Sequence, residues 1–275
     1  MERTAVITGC SSGVGRAAVE AFRDEGWTVY ATARDTDDLA AFQGRDGCRV
    51  AELDVTVADD VDRVIERVID ETERVDCLVN NAGYGQLGPV EDVPTERVVR
   101  QYDVNVYGPL RLIRGVLPEM RRRGDGTIVN VTSVAARVPF PGGGVYAGSK
   151  AALSATTETL RSEVAAEGID VVEVEPGPVE TAFDDRAASE TTDLDRTAAY
   201  DEIYGLFEDA NAVGGGGPLA VSPETVAAEI LEAAVSTEPA ARYPVGPVAR
   251  AATFAGVLPQ WARTRLWRLV ARLAD

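Results

Sequence analysis

Thr8-Gly9-Cys10-Ser11-Ser12-Gly13-Val14-Gly15 is the stretch on which the fold turns. Ahead of it, residues 4–8 form a short apolar run of strand length. Behind it, residues 14–25 place Val14, Ala17, Ala18, Ala21 and Phe22 at helical spacing and stop at Gly26. A strand therefore feeds a helix through a glycine-rich turn. Glycines allow a tight turn and let backbone approach a ligand closely. The free N–H groups and the dipole at the start of such a helix attract a pyrophosphate. The spacing is GxxxGxG, not GxGxxG, and a glycine-rich turn alone also serves ordinary strand-to-helix connections.

The alternation continues outward from this turn. Trp27–Thr32, Cys48–Leu53, Asp76–Asn80, Thr127–Thr132 and Ile169–Glu175 read as further strands, and Arg242–Val245 as a seventh. Residues 58–73 carry Val61, Val64, Ile65, Val68 and Ile69 at helical spacing, and 95–122 and 146–167 also read as helical. Alternating strands and helices predict an α/β fold: a doubly wound parallel sheet of Rossmann type, with helices on both faces. No internal repeat or long linker divides the chain, so 1–275 reads as one domain. Residues 177–221 hold Pro178, Pro218 and the run Gly214–Gly217, which predicts a mobile excursion with one or two short helices. In an open α/β sheet, ligands bind beyond the C-terminal ends of the strands. Residues 247–275 form a C-terminal extension.

Composition excludes several chemistries. The formal charge is −18, which repels nucleic acid over most of such a surface. There is no histidine, so Ser-His-Asp and Cys-His catalysis and His-ligated metal sites are ruled out. Cys10, Cys48 and Cys77 form no CxxC pair and suit free thiols in a reducing compartment. No run approaches the roughly 18 apolar residues of a membrane span. The strand-like run begins almost at Met1, leaving no place for a signal peptide, and a cytoplasmic location is expected. Of 27 basic residues only Lys150 is lysine. A GC-rich genome would account for the arginine. An acidic, lysine-poor surface also suits a cytoplasm at molar salt, where charges are screened beyond ~3 Å, and this halophilic reading explains the excess of acid as well.

Taken in order, the motifs resemble the classical short-chain dehydrogenase/reductase family. They are TGxxxGxG at residues 8–15, Asn80-Asn81-Ala82-Gly83, Asn105, Ser133, Tyr146-Ala147-Gly148-Ser149-Lys150 and Pro176-Gly177. The resemblance spans residues 8–181 and implies a one-domain fold with a seven-stranded sheet. It implies a nicotinamide cofactor held by Gly9, Ser11, Ser12, Gly13, Val14 and Gly15, bordered at the adenine by Asp54-Val55 and lined by Asn81-Ala82-Gly83. A carboxylate at the end of the second strand would bind the ribose of NAD. Ala33 stands there instead, and Arg34 after it matches a 2′-phosphate, so NADP(H) is preferred and NAD(H) remains possible. Asp35 would either neutralise Arg34 or serve a 2′-hydroxyl itself.

Tyr146 and Lys150 lie four apart in a predicted helix and so share a face. A free tyrosine titrates near ~10, and a neighbouring ammonium lowers that value. Tyr146 would then pass a proton to or from the substrate oxygen, with Ser133 supporting the developing charge. The family implies further that Lys150 reaches the nicotinamide ribose, that Asn105 positions a water, and that Pro176, Gly177, Val179 and Thr181 line the nicotinamide. Singly, each of these residues also suits an ordinary packing or surface role. A lysine kept at this one place in an otherwise arginine-only chain favours the catalytic reading.

The substrate side is less specific. Pro139, Phe140, Val145, Val179, Phe183, Tyr204, Phe207 and Leu219 are candidates for an apolar pocket, and for most of them ordinary packing serves equally well. Arg242-Tyr243-Pro244-Val245-Gly246 is similar to hydroxysteroid- and retinol-dehydrogenase-like members, implying a lipophilic carbonyl or alcohol. The Arg- and Trp-rich stretch 261–273 reads as a helix packing on its own domain or a partner, with a membrane surface as the lesser alternative. The family implies a homo-oligomer, dimer or tetramer, built through 95–122 and 146–167. Two alternatives stand beside the oxidoreductase: a non-catalytic NADP(H)-binding regulator, and an epimerase or dehydratase on the same fold. The full Asn105, Ser133, Tyr146 and Lys150 set disfavours the first, and the GxxxGxG spacing and short tail disfavour the second.

Overall fold

In β1 (Thr4–Ile7), Ala5 and Ile7 face one side of the sheet, Val6 faces the other, and all three are fully buried. A strand apolar on both faces needs cover on both, and helices supply it. The computed structural model describes residues 2–208 and 217–255. The other strands are β2 (Thr28–Ala33), β3 (Cys48–Glu52), β4 (Cys77–Asn80), β5 (Gly126–Val131), β6 (Ile169–Pro176) and β7 (Arg242–Val245). All seven pair in parallel in the order β3-β2-β1-β4-β5-β6-β7. The order reverses between β1 and β4, which opens a crevice at their C-terminal ends.

One layer packs α1 (Gly13–Asp24) and α8 (Pro223–Val235) on the face that carries Ala5, Ile7, Val129, Val172 and Val174. The opposite face, with Val6, Tyr30, Leu78 and Ile128, is covered by α2 (Ala58–Thr72) and α4 (Gly108–Arg123). The last turns of α5 (Gly144–Glu163) join that second layer through Leu160. Each fully buried side chain such as Ile128 is worth roughly 1.5–3 kcal/mol relative to exposure.

Three elements depart from the sequence reading. The helical region expected over 95–122 is broken. It runs as α3 (Thr95–Tyr102), a π turn over Asp103–Tyr107, and then α4. Pro109 has no N–H to offer the carbonyl of Asn105 four residues back, so the α ladder fails there. α5 starts at Gly144, two residues before Tyr146, and closes at Glu163, where a short 3-10 turn leads to Gly168 in the left-handed region. α8, between the polar excursion and β7, was not anticipated. Its start signals are present in the sequence: Ser222 caps the N–H of Thr225, with Pro223 in the first turn.

The excursion after β6 carries α6 (Phe183–Thr192) and α7 (Asp201–Glu208), in keeping with the short helices expected there. After β7 the chain forms α9 (Pro247–Ala255). The stretch 261–273 and most of the Gly214–Gly217 run lie outside the described residues. Cys10 and Cys77 are buried and Cys48 half-buried, all as free thiols. Among the described residues no helix is long and apolar enough to cross a membrane, and no cluster of metal-ligating side chains occurs.

Candidate active site

The loop after β1 is locked to the loop after β4. Thr8 Oγ1 accepts from the backbone N–H groups of Asn81 and Ala82 at 3.0 and 2.9 Å. The Asn81 amide donates in return to the carbonyls of Thr8 and Gly9 at 2.8 and 3.2 Å. Gly9 takes φ +71°, and a Cβ there would stand 2.8 Å from Ala82 Cα. A Cβ on Gly15 would lie 2.3 Å from the Gly9 carbonyl oxygen. These two positions exclude any larger residue. At the start of α1, Ser12 is the N-cap but its side chain caps nothing, and the first turn holds no acidic residue. The opening N–H groups of the helix thus face the crevice with their partial positive charge unanswered, a fit for a pyrophosphate.

The crevice widens into a chamber of about 1670 Å³. Gly9, Ser11, Ser12, Gly13 and Val14 line one end, with Arg34, Asp54 and Val55 beside them. Arg34 is exposed and makes no ion pair among the described residues. Asp35 does not neutralise it: the Asp35 carboxylate accepts from the Asp37 N–H at 2.9 Å and caps the 3-10 turn Thr36–Phe42. Asp54 is likewise engaged, accepting from the backbone N–H and the hydroxyl of Thr56 at 2.9 and 2.7 Å.

Along the chamber follow Asn81, Ala82 and Gly83, then Ser133, Tyr146 and Lys150, with Pro176, Gly177, Val179 and Thr181 also lining it. Ser133 lies two residues beyond β5 and caps the 3-10 turn Val134–Ala136 by accepting from the Ala135 N–H at 3.2 Å. Lys150 is buried beneath the floor, and its Nζ donates to the Val131 carbonyl at 2.9 Å. Burial lowers this ammonium to about 8. The Tyr146 ring is 5.6 Å from that of Phe183, tilted at 56°.

Two of the expected residues do not reach the chamber. Gly15 serves loop packing behind it. Asn105 sits behind Gly83, where it accepts from the Tyr84 N–H at 3.2 Å and donates to the Tyr84 carbonyl and Ser149 Oγ at 3.0 and 3.1 Å. A Cβ on Gly83 would meet Asn105 Oδ1 at 3.1 Å and Lys150 Nζ at 3.5 Å, so Gly83 lies between Asn105 and the chamber and packs beside Lys150.

On the substrate side, Phe140, Val179 and Phe183 line the chamber as expected. Val145 and Tyr204 do not; they pack with Val93 and Leu194 in a separate cluster. Pro139 lies off the chamber and Leu219 is exposed. The Phe207 side chain lies outside the described residues. Arg242–Val245 is the edge strand β7, and neither it nor Gly246 lines the chamber. The wall also includes Leu87, Val138 and Arg186, which are among the lining residues that the sequence reading missed. Leu87 closely follows the Asn81-Ala82-Gly83 motif and Val138 follows Ser133, so proximity to those motifs was a usable signal. Arg186 carried none.

The chain matches the family model for short chain dehydrogenase over residues 3–192. A solved short-chain dehydrogenase from Streptomyces avermitilis superposes with a TM-score of 0.83 at 34% identity, covering 100% of this chain and 98% of that one. An uncharacterised oxidoreductase of Escherichia coli K12, YbbO, is 33% identical over 89% of this chain and 86% of its own length. An NADPH-dependent 3-dehydrocapnine reductase of Ornithobacterium rhinotracheale is 32% identical over 89% of this chain and 88% of its own. Matches of this extent, on a chain with this sheet order and this crevice, have one reading: the chain belongs to the short-chain dehydrogenase family.

Proposed function

We propose that this dehydrogenase is NADP(H)-dependent and interconverts a lipophilic carbonyl and its alcohol, with Tyr146 as the acid/base. The observation that carries the reading is that Ser133, Tyr146 and Lys150 share one chamber with the glycine loop. The uncapped start of α1 suits the pyrophosphate, and Arg34, without a carboxylate partner among the described residues, suits a 2′-phosphate. Asp35 has one oxygen on its cap and makes no ion pair with Arg34, so it leaves that guanidinium to a 2′-phosphate. The 32%-identical reductase described as NADPH-dependent supports the same preference.

A nicotinamide dinucleotide bound here supplies or takes the hydride. Tyr146 gives a proton to the substrate oxygen in reduction and removes one in oxidation. Lys150, one turn further along α5, holds a positive charge near that ring at neutral pH and favours the phenolate. The Ser133 hydroxyl supports charge developing on the same oxygen. Asn105 acts from behind by holding the Tyr84 backbone and hence Gly83 against Lys150. Leu87, Val138, Phe140 and Phe183 offer an apolar wall to the remainder of the substrate.

NADPH oxidation against a panel of ketones and aldehydes, with NADH alongside, tests this directly. Tyr146→Phe should lose roughly 10²–10⁴-fold in kcat and still bind NADPH. If the unsubstituted protein binds NADPH and turns over no carbonyl, the regulatory alternative replaces the enzymatic one. If it prefers NADH, the Arg34 assignment is wrong.

A further inference from the structure

Two glutamates lie side by side on one face of β6, where the strand's other face carries Val172 and Val174. Glu173 is fully buried and Glu175 is 1% exposed. Removing two carboxylates from water is costly, and the same volume filled by apolar side chains is often as stable or more so. What the pair touches is therefore informative. The single Nε–H of Arg137 is shared between the two carboxylate oxygens of Glu175, at 2.7 and 2.9 Å. Glu173 accepts from the Thr132 hydroxyl at 2.8 Å, and its second oxygen lies 3.3 Å from Arg242 Nε. Arg242 is fastened in turn to Glu158 of α5 at 2.9 Å.

Both carboxylates thus grip the segment that holds Ser133. Thr132 precedes Ser133 directly. Arg137 closes the 3-10 turn that Ser133 opens, its own N–H bonding to the Val134 carbonyl at 3.0 Å. Glu175 itself precedes Pro176-Gly177 in the chamber wall.

We propose that Glu173 and Glu175 are positioning residues of the reaction, holding Thr132–Arg137 from both ends so that the Ser133 hydroxyl meets the substrate oxygen beside Tyr146. The inference rests on the oxidoreductase reading above, which gives Ser133 that role. The clasp explains why a costly carboxyl pair occupies β6 at this level of the strand and why its partners flank Ser133. Burial, then the neighbouring charge of Glu173, pushes Glu175 up to about 7, so the pair forgoes solvation to make these contacts.

The test compares the unsubstituted protein with Glu175→Gln, Glu175→Leu and the double variant Arg137→Met/Glu175→Leu. The double variant removes both charges at similar volume, so it should melt no lower than the parent. Its kcat for carbonyl reduction should nevertheless fall at least about tenfold, with KM for NADPH within about twofold, because the loop is held and not the cofactor. Glu175→Gln, which still accepts from Arg137, should recover most of that loss. Hydrogen exchange at the amides of Ala135–Val138 should quicken in both leucine variants and stay near the parent in Glu175→Gln. A double variant with parental kcat and parental exchange overturns the clasp and leaves the pair as packing. If the parent itself turns over no carbonyl, the oxidoreductase reading fails, and the exchange rates alone still decide whether the pair holds this loop.

Discussion

At the end of the chamber proposed for the dinucleotide, Gly9, Gly13 and the α1 N-terminus make a wall of main chain; at the far end, Leu87, Phe140 and Phe183 make one of side chains from three separate segments. The first wall tolerates almost no change, since its shape is the path of the backbone, fixed by hydrogen bonds that Thr8 Oγ1 accepts and the Asn81 amide donates. The second is set by side chains that can be exchanged without moving the strands. On the proposed function, that difference of material would give a fixed grip on the cofactor and a replaceable one on the substrate, and substitutions at each end test whether the two are independent.

The largest effect is expected at the main-chain end. Gly15→Ala places a Cβ 2.3 Å from the Gly9 carbonyl oxygen and 2.5 Å from Asn81 Nδ2, and the first of these is backbone that cannot swing aside. The glycine loop must shift, and a displacement of about 1 Å at such a site costs on the order of 10²-fold. NADPH affinity measured by calorimetry should fall by that factor. Near-parental affinity would mean that the loop is more pliable than its hydrogen bonds imply.

A smaller and more selective change is expected at Arg34. A hydrogen-bonded charge partner is worth about 1.5–3 kcal/mol. Arg34→Ala should therefore lower kcat/KM with NADPH by roughly 10- to 100-fold and leave the value with NADH unchanged. An equal loss with both cofactors would move Arg34 from 2′-phosphate recognition to general attraction of anions.

The sequence was informative where backbone makes the site, and for a physical reason. A loop that must pass close to other backbone can use only glycine, so TGxxxGxG is legible as letters, and the alternation of strand-length and helical segments implies a parallel sheet, though not the order of its strands. That Tyr146 and Lys150 share a face is legible from helical spacing because both lie within α5, while their pairing as a catalytic set is what the family resemblance implies. The π turn at Asp103–Tyr107 was harder, because it depends on Asn105 reaching the backbone of Tyr84 across 21 residues as well as on Pro109 nearby. For Val145 and Tyr204 the packing alternative holds: apolar residues near a site look alike in sequence whether they face ligand or one another. Arg186 reaches the chamber only through the placing of α6, which no local pattern announces.

Tyr204 offers the most discriminating test of independence, with the smallest effect. Its ring is buried against Val93, Val145 and Leu194, and its hydroxyl donates to Asp92 at 2.7 Å. Asp92 also accepts from the N–H and hydroxyl of Thr197 at 3.1 and 2.6 Å, and these bonds hold its carboxyl below the usual range. The knot therefore ties the segment around α7 to the loop between Gly83 and α3, which carries Leu87. Tyr204→Phe keeps the ring and removes one charge-assisted bond, worth about 1.5–3 kcal/mol in general. With roughly 2–4 °C of melting temperature per kcal/mol in a domain near this size, a modest drop is expected. KM for the carbonyl should rise as the Leu87 loop loosens, while NADPH affinity stays unchanged, because no residue of the knot touches the glycine loop or Arg34. If NADPH affinity fell together with the melting temperature, the two ends would be mechanically coupled through the loop after β4, since that loop carries both Asn81 and Leu87.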